Sequence, residues 1–309
     1  MIIDTFIYFN EKELLELRIN LLHDYVDKFI IFEGNMTFSG IPKPFTCEDT
    51  LRELGFKMNK IEVVKVYLPP NEVVVKLEEF DHHLMNRSLY TSDTHPNTWY
   101  RERVQKDSLT TVLEDYGDDD VFIVTNCDEI INPRYIKYFS EMVLKNKHIL
   151  IKLPLVQLEG RADMRAYDRA TGQPVMFDKI AFMCTKEHLT KAPPSNLQFQ
   201  INSPYTTCYI TQDDKRIEDC GWHFSWMGSS EKKLEKLRSY SHYADEIPFL
   251  LTPKLNSDDM RKYMENYEAK EFGLNPWGDT RYILKKYPES NLPQIIFDLP
   301  RVKKHLLPD

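Results

Sequence analysis

The chain has 309 residues, of which 42% are hydrophobic and 12% aromatic, so it can bury a sizeable core. Its formal net charge is −8, and its basic and acidic residues are interspersed, without the clustered Lys and Arg of a nucleic-acid-binding face. No stretch approaches the ~20 consecutive apolar residues that a membrane span requires.

Five cysteines are scattered along the chain without C-x-x-C spacing. This odd number favours reduced thiols in a reducing compartment. The apolar segment 1–10 lacks a basic region and a small-residue cleavage site, so it predicts a first strand and not a signal peptide. We therefore expect a cytoplasmic protein.

The first third of the chain predicts a β-α-β-α-β unit. Its hydrophobic patterns predict, in order, a strand at 2–9, a helix at 11–22 capped by Asn10, a strand at 28–33, a short helix at 46–54 and a strand at 61–67. This alternation is typical of a parallel sheet with right-handed crossovers. The Gly- and Pro-rich loop 34–44 follows a strand and is expected to carry function.

The rest of the chain continues the mixed pattern after an irregular excursion at 69–97. We predict helices at 98–116, 133–145, 231–243 and 257–270, and strands at 121–125, 149–155, 179–185 and 203–211. The tail from residue 275 is rich in Pro and aromatic residues and is expected to wrap the body. No repeat or linker is evident, so we predict one α/β domain over 1–309, with a core at 1–250 and a tail at 251–309.

The strand beginning at Val121 is the centre of this organisation. Four apolar residues lead directly into Asn126, Asp128 and Glu129, and a run of this kind is typical of a strand buried on both faces. Open α/β sheets bind ligands at the carboxyl ends of such strands. Two carboxylates and an amide there suit a hard divalent cation and the phosphates it carries. The alternative is that Asp128 and Glu129 only cap the helix 133–145.

A second informative segment is Gly221-Trp-His-Phe-Ser-Trp226. Gly221 permits a positive φ or a close approach of another backbone. His223 is a metal ligand, a general base or a histidine satisfied within the core. If Asp128 holds a cation, an imidazole would complete a mixed nitrogen and oxygen site, which Mn²⁺ tolerates better than Mg²⁺.

Two further groups are candidates for donor binding. Glu33 ends a predicted strand and could accept hydrogen bonds from a ribose or base, and Lys43 could meet a phosphate, although both also suit an ordinary polar loop. Arg103 either faces the phosphates or pairs with Asp107 one helical turn later. The sequence has no Gly-x-Gly-x-x-Gly or Walker-type loop, which argues against dinucleotide dehydrogenases and P-loop enzymes.

Several of these motifs occur in an order that resembles glycosyltransferase family 17. They are Asp4-Thr-Phe-Ile-Tyr-Phe-Asn-Glu11, Leu15-Glu-Leu-Arg18, Val26-Asp-Lys-Phe-Ile-Ile-Phe-Glu33, Thr37-Phe-Ser-Gly40, Lys43-Pro44, Asp119-Asp-Val-Phe-Ile-Val124, Asp128-Glu-Ile130 and Gly221-Trp-His-Phe-Ser-Trp226. The resemblance extends from about residue 4 to about residue 245. It implies a GT-A-like fold with a mostly parallel central sheet, an inverting mechanism, UDP-N-acetylglucosamine as donor and Mn²⁺ (or Mg²⁺) as cofactor.

The residue patterns and this resemblance together lead to a hypothesis for the roles of individual residues. Asp128 is expected to hold the metal with help from Asn126 and His223, and Asp128 and Glu129 are expected to be catalytic. The donor-binding residues are then Glu33, Asn35, Thr37, Lys43, Arg103, Asn126 and Trp222. The family usually has Asp-x-Asp-Glu-Ile at the central edge, whereas this chain has Asn126 in place of the first Asp, which removes one negative charge.

Other features of the reaction are open at this point. Trp222 and Trp226 could stack on donor or acceptor, with one of the two expected in the core. The general base is expected among carboxylates, with Glu129, Asp163, Asp168, Asp219 and Glu246 as candidates. The acceptor is expected to be a cytoplasmic glycan, a lipid-linked sugar or another small hydroxyl compound. The alternatives are a metal-dependent sugar-nucleotide hydrolase and a glycan- or nucleotide-binding module whose catalytic site has decayed.

Overall fold

The structure, a computed structural model, describes residues 1–70, 96–178, 180–199, 206–209, 211–212, 215–217, 219–241 and 282–307. The strands of this part are β1 (Ile2–Tyr8), β2 (Lys28–Gly34), β3 (Ile61–Val66), β4 (Val121–Asn126), β5 (Glu129–Ile131), β6 (Ile149–Lys152), β7 (Leu155–Glu159), β8 (Met164–Asp168), β9 (Met176–Phe177), β10 (Phe182–Thr185), β11 (Thr206–Cys208), β12 (Thr211–Gln212), β13 (Lys215–Arg216), β14 (Gly221–Ser225) and β15 (Tyr282–Lys286). The α-helices are α1 (Lys12–Leu22), α2 (Cys47–Glu53), α3 (Pro96–Asp107), α4 (Pro133–Lys145), α5 (Lys186–Lys191), α6 (Pro194–Phe199), α7 (Ser230–Ser239), α8 (Ile295–Asp298) and α9 (Pro300–Leu306).

The first sheet has seven strands in the order β11-β6-β10-β4-β1-β2-β3. Strands β4, β1, β2 and β3 pair in parallel, as do β6 and β11, while β10 runs antiparallel to both of its neighbours. In this register Ile7 lies opposite Asn126, and Tyr8 lies opposite Glu33. The carboxyl ends of β1, β2 and β4 therefore meet at one edge, and the predicted α/β class is confirmed.

The second sheet has the order β15-β8-β7-β14-β5, with β9 beside β7. Strand β14 pairs in parallel with the central strand β7 and antiparallel with β5. Strand β4 ends at Asn126 in the first sheet, and β5 begins at Glu129 in the second. The chain thus passes from one sheet to the other through only Cys127 and Asp128.

Both faces of the first sheet are covered by apolar side chains. In β2, Phe29 and Ile31 join the cluster that contains the leucines of α1, whereas Ile30 and Phe32 join the opposite cluster with Leu109. This burial on two faces explains why the strands are continuous apolar runs and not alternating ones. Each such side chain contributes roughly 1.5–3 kcal/mol through burial.

Some predicted boundaries differ from the observed ones for local reasons. The helix predicted at 98–116 is α3 followed by a 3-10 segment at Ser108–Asp115. The hydroxyl of Ser108 donates to the carbonyl oxygen of Val104, and that of Thr111 donates to Ser108. Such bonds compete with the helical backbone pattern.

The cap predicted for the first helix is wrong. Asn10 does not cap α1: its amide donates to Glu235 on α7 at 2.9 Å. The helix predicted at 257–270 lies outside the described residues. Within the part of the chain that is described, no helix is both long and apolar enough to cross a membrane.

Candidate functional site

Asp128 lies at the joint between the two sheets and is 6% exposed. The Nζ atom of Lys236, from the distant helix α7, donates to its Oδ2 at 2.7 Å. Burial opposes ionisation of Asp128, but Lys236 and the adjacent His223 together hold the pKa of this carboxyl well below its usual range. Asp128 is therefore a buried carboxylate anion with a lysine as counter-ion.

Asp128 and Glu129 do not cap the following helix. The cap of α4 is Asn132, whose side chain accepts from the backbone N–H of Arg134. Glu129 instead accepts two hydrogen bonds from Asn126, from the backbone N–H at 3.0 Å and from the side-chain amide at 2.7 Å. Glu129 thus closes the turn that presents Asp128.

His223 reaches the same place from the second sheet. It lies opposite Glu129 on β5 and opposite Gln157 on β7, so these three side chains share one face of the sheet. Its Nε2 atom is 3.7 Å from Oδ2 of Asp128, and its ring is 4.0 Å from that of Phe177 between centroids. Strands that are far apart in sequence therefore assemble this face.

Gln157 determines which nitrogen of His223 carries the proton. The Nδ1 atom is 2.8 Å from Oε1 of Gln157. Because an amide oxygen only accepts, Nδ1–H donates to Gln157, and Nε2 is the ring atom that faces Asp128. A second partner of this kind orients histidines that bind metals.

The donor atoms of this cluster fit a divalent cation. Ligand atoms of Asp128, Glu129 and His223 all lie within 4.8 Å of one another. The side-chain oxygen of Asn126 is buried without a hydrogen-bond partner, because the amide nitrogen is the atom turned toward Glu129. A carboxylate, an imidazole nitrogen and an amide oxygen form a mixed donor set of the kind that Mn²⁺ accepts.

Glu129 differs from Asp128 in its protonation. It is fully buried, and its burial, reinforced by the charge of Asp128, raises the pKa of its carboxyl. Two neighbouring carboxylates with pKa values shifted in opposite directions suit different roles, one as a permanent anion and one as a proton acceptor.

Arg18 holds the turn that carries this cluster. Its guanidinium donates to the backbone oxygens of Asn126 and Glu129 at 2.8 and 2.9 Å and to Oγ1 of Thr125 at 2.6 Å. Its remaining N–H groups bind Asp4 on β1. Carbonyl groups that could not bond within a sheet are satisfied in this way.

Glu33 lies at the predicted strand edge, where it organises the following loop. Its carboxylate accepts from the backbone N–H groups of Thr46 and Cys47 at 2.8 and 3.0 Å and from Lys43 at 2.9 Å. These N–H groups lie at the start of α2 and have no acceptor within the helix, so Glu33, which is distant in sequence, accepts their hydrogen bonds. Lys43 and Glu33 are therefore paired with each other, and their binding of a donor stays a prediction.

The polar residues of the same loop hold its shape. Asn35 accepts from the backbone N–H of Leu68 at 2.8 Å. The hydroxyl of Thr37 accepts from the N–H of Ile41 at 2.9 Å and lies 2.8 Å from that of Ser39. These bonds keep the loop beside the edge at which β2 ends.

Arg103 and Trp222, which the sequence predicted to bind the donor, form hydrogen bonds with residues other than Asp128. Arg103 contacts Asp107 and Asn196, each at 3.4 Å. Trp222 precedes His223 on a strand, so it points to the opposite face, joins the main core and donates to the carbonyl oxygen of Asn291 at 3.1 Å. Trp222 and Trp226 are both buried, at 6% and 5% exposed.

The other candidate bases take part in local contacts. Asp163 pairs with Lys286, and Asp219 pairs with an arginine at the start of α4. Asp168 accepts from the N–H group three residues later in its own turn. Glu246 lies outside the described residues.

Three residues of the site were not predicted from the sequence: Gln157, Lys236 and Glu159. Glu159 ends β7 opposite Ser225 and is 5% exposed. It lies two residues after Gln157, on the same face of the strand. That spacing is the one sequence signal that could have revealed both, since two polar residues alternate with buried leucine.

Comparison with protein families gave a match between part of this chain and the model of glycosyltransferase family 17. The match covers residues 1–153, which end at the close of β6, so His223 and Lys236 lie beyond it. Over that region the match confirms the resemblance to glycosyltransferase family 17 that the sequence showed.

Two solved structures are distantly similar to this chain. A crystal structure of 4-diphosphocytidyl-2C-methyl-D-erythritol synthase aligns with a TM-score of 0.35 and 9% identity, covering 70% of this chain and 91% of that chain. Mannose-6-phosphate isomerase from Helicobacter pylori aligns with a TM-score of 0.34 and 13% identity, covering 64% and 77%. A comparison with curated proteins gave no match.

Proposed function

We propose that this protein is an inverting, metal-dependent glycosyltransferase with a GT-A-like domain. It transfers a sugar from a UDP-sugar to a hydroxyl group of a glycan or another small acceptor. N-acetylglucosamine is the proposed sugar because of the resemblance to family 17. The observation that supports this proposal most is the convergence of Asp128 and His223, from two sheets, beside the edge where β1, β2 and β4 end. Open α/β sheets bind their ligands at such an edge.

In this proposal the cation is held by Asp128, His223 and the free oxygen of Asn126. The bound ion would neutralise charge on the leaving diphosphate. The protein's own residues supply the preorganisation. Gln157 keeps the lone pair of His223 directed at the site, and Glu129 fixes Asn126 so that its oxygen is not consumed by the turn. These contacts exist before any ligand binds, so little reorganisation accompanies the reaction.

Inversion requires a base near the attacking hydroxyl of the acceptor. The polar face of the second sheet offers two carboxylates, Glu129 and Glu159. Burial raises the pKa of Glu129, which makes its carboxylate a stronger proton acceptor, but its oxygens already accept two N–H bonds. The pH profiles of Glu129→Gln and Glu159→Gln would separate them, because only loss of the base removes the acidic limb.

The experiment is UDP release from UDP-N-acetylglucosamine with Mn²⁺ or EDTA, with and without glycan acceptors. Acceptor-stimulated release in the parent supports transfer, and we expect Asp128→Ala to lose about 100-fold or more of this activity. Asp24→Ala is the matched control, since Asp24 is exposed and distant from the site. Full activity in Asp128→Ala would refute the assigned site. Release that ignores every acceptor would indicate a hydrolase, and saturable binding without turnover would indicate a binding module.

A further inference from the structure

We propose that Lys236 is the resident cation of the site, and that a divalent ion must displace it from Asp128 in order to bind. Lys236 would therefore set the metal affinity of the protein. This inference deepens the proposed function and rests on it for the identity of the metal-binding residues.

The ammonium group of Lys236 and a divalent cation would both bind at Oδ2 of Asp128. The ammonium group is 2.7 Å from Oδ2 of Asp128, and Nε2 of His223 is 3.7 Å from the same oxygen. A cation held by Asp128 and His223 would bind near this oxygen. An ammonium and a divalent ion repel each other strongly at such a distance, so they cannot share the oxygen at low cost.

A second carboxyl group, that of Glu11, lies near Lys236. Glu11 lines the same small cavity as Lys236, at the start of α1. Its Oε2 is fixed by the backbone N–H groups of Phe9 and Asn10 at 3.0 and 3.1 Å. The attraction of Glu11 and Asp128 for the ammonium outweighs the effect of burial and raises the pKa of Lys236. Glu11 is thus a second carboxyl group near Lys236 that remains when the contact with Asp128 is lost.

The fold brings Lys236 to this position through an unusual turn. Trp226, directly after β14, has a φ of 57°, and no other non-glycine residue in the described ranges has a positive φ. Such a conformation is unfavourable for a residue with a side chain and is found mainly where the surroundings impose it. The turn reverses the chain into α7, which begins at the Ser229 cap, and Lys236 lies over the Trp226 ring at 5.7 Å.

The side chain of Lys236 can leave without unfolding the site. It is 30% exposed, whereas the side chain of Asp128 is 8% exposed. A long methylene chain can change rotamer while the helix stays in place. Lys236 therefore differs from Arg18, which is fully buried and cannot move without breaking the turn.

The test measures the affinity for Mn²⁺ in the absence of any nucleotide. The electron paramagnetic resonance signal of free Mn²⁺ reports how much of the ion is unbound. We expect Lys236→Met to bind Mn²⁺ tighter than the parent by about tenfold or more, because the competing charge is gone. Lys232→Met is the matched control: it removes the same charge one turn earlier, where the lysine contacts Glu235 and not Asp128. Lys236→Met/Asp128→Asn should lose the gain. Equal or weaker binding in Lys236→Met would overturn the proposal.

A measurement on the unaltered protein does not depend on the variant folding. The Cε resonance of Lys236 should shift as Mg²⁺ is added, together with the carboxyl carbon of Asp128, while Lys232 stays unchanged. An unmoved Lys236 signal would overturn the proposal.

Failure of the inference and failure of the proposed function are distinguishable. Tighter Mn²⁺ binding in Lys236→Met with no sugar transfer would support the exchange and refute the transferase. EDTA-resistant, acceptor-stimulated transfer with no Mn²⁺ binding in any variant would refute the exchange and leave the transferase intact.

Discussion

Arg18 and Asp4 form a buried ion pair beneath the site, with Nε donating to Oδ2 at 2.7 Å and Nη2 donating to Oδ1 at 2.5 Å. Both side chains are fully buried. The same guanidinium binds the backbone of the turn after β4, so one residue of α1 joins β1 to the loop that carries Asp128. The ion pair is thus part of the support of the site.

Arg18→Met should lower the free energy of unfolding by about 3–5 kcal/mol, because it leaves Asp4 as an unpaired buried charge. Urea denaturation measures this loss. Arg52→Met is the control, since Arg52 is exposed and should change stability by less than about 0.5 kcal/mol. Asp4→Leu/Arg18→Met should be less destabilised than Arg18→Met, and equal losses in the two would contradict a dominant role of the unpaired charge.

Gly221→Ala should destabilise the protein by about 1–3 kcal/mol through overpacking. A Cβ atom at this position would collide with the backbone oxygen of Ile130 and the Cα of Ile131 on the paired strand β5. The glycine is required for close approach and not for a positive φ. Gly117→Ala is the control, because its Cβ would meet only Asp120 at 3.8 Å. Equal urea midpoints for the two variants would refute this explanation.

Lys152 makes the free energy of unfolding increase with pH in the alkaline range. Burial lowers its pKa to about 8 from its ordinary 10.5, and its Nζ donates to the carbonyl oxygen of Gln198 at 2.6 Å. Between these pH values the unfolded chain binds a proton that the folded protein lacks. The contribution of Lys152 to stability is therefore present above pH 10.5 and is lost as pH falls through 8.

Relative to Lys152→Met, the parent should gain about 3 kcal/mol of unfolding free energy between pH 7.5 and 10.5. Pairs of urea titrations across this range measure the gain, and other titrating groups cancel because both proteins contain them. A difference independent of pH would show that the pKa of Lys152 is ordinary in the folded state.

Gln157→Leu should weaken Mn²⁺ binding by about 10–100-fold, because His223 loses the partner that directs its lone pair at the site. Paramagnetic resonance measures the affinity, and nitrogen NMR of His223 should show a smaller share of the Nδ1–H tautomer. Gln173→Leu makes the same replacement at an exposed glutamine and should leave both unchanged. Unchanged affinity in Gln157→Leu would mean that His223 is not a ligand.

The sequence predicted the strands and the acidic edge because their physical signal is local. The run from Val121 to Val124 is buried, and Asp128 follows it at the end of the strand as expected. His223 was also found, because a histidine between two tryptophans is unusual in any context. Patterns of this kind depend on neighbours in the chain, which the sequence displays directly.

Lys236 could not be found in this way. Lys236 lies in the charged segment of α7, and nothing in the local sequence distinguishes it from an ordinary solvated lysine. Its role arises only because the turn at Trp226 brings the helix over Asp128. Glu33 illustrates the reverse case: a carboxylate at a strand edge suggests a ligand, but the structure shows it bonded to the start of α2. Tertiary contacts decide such cases.

The position of Asp128 between the sheets also has a consequence for biosynthesis. Asp128 emerges from the ribosome 108 residues before Lys236, the residue that neutralises it. A growing chain therefore contains the acid for some time before Gln157, His223 and Lys236 are made, so the polar cluster around Asp128 can form only after most of the chain has been synthesised.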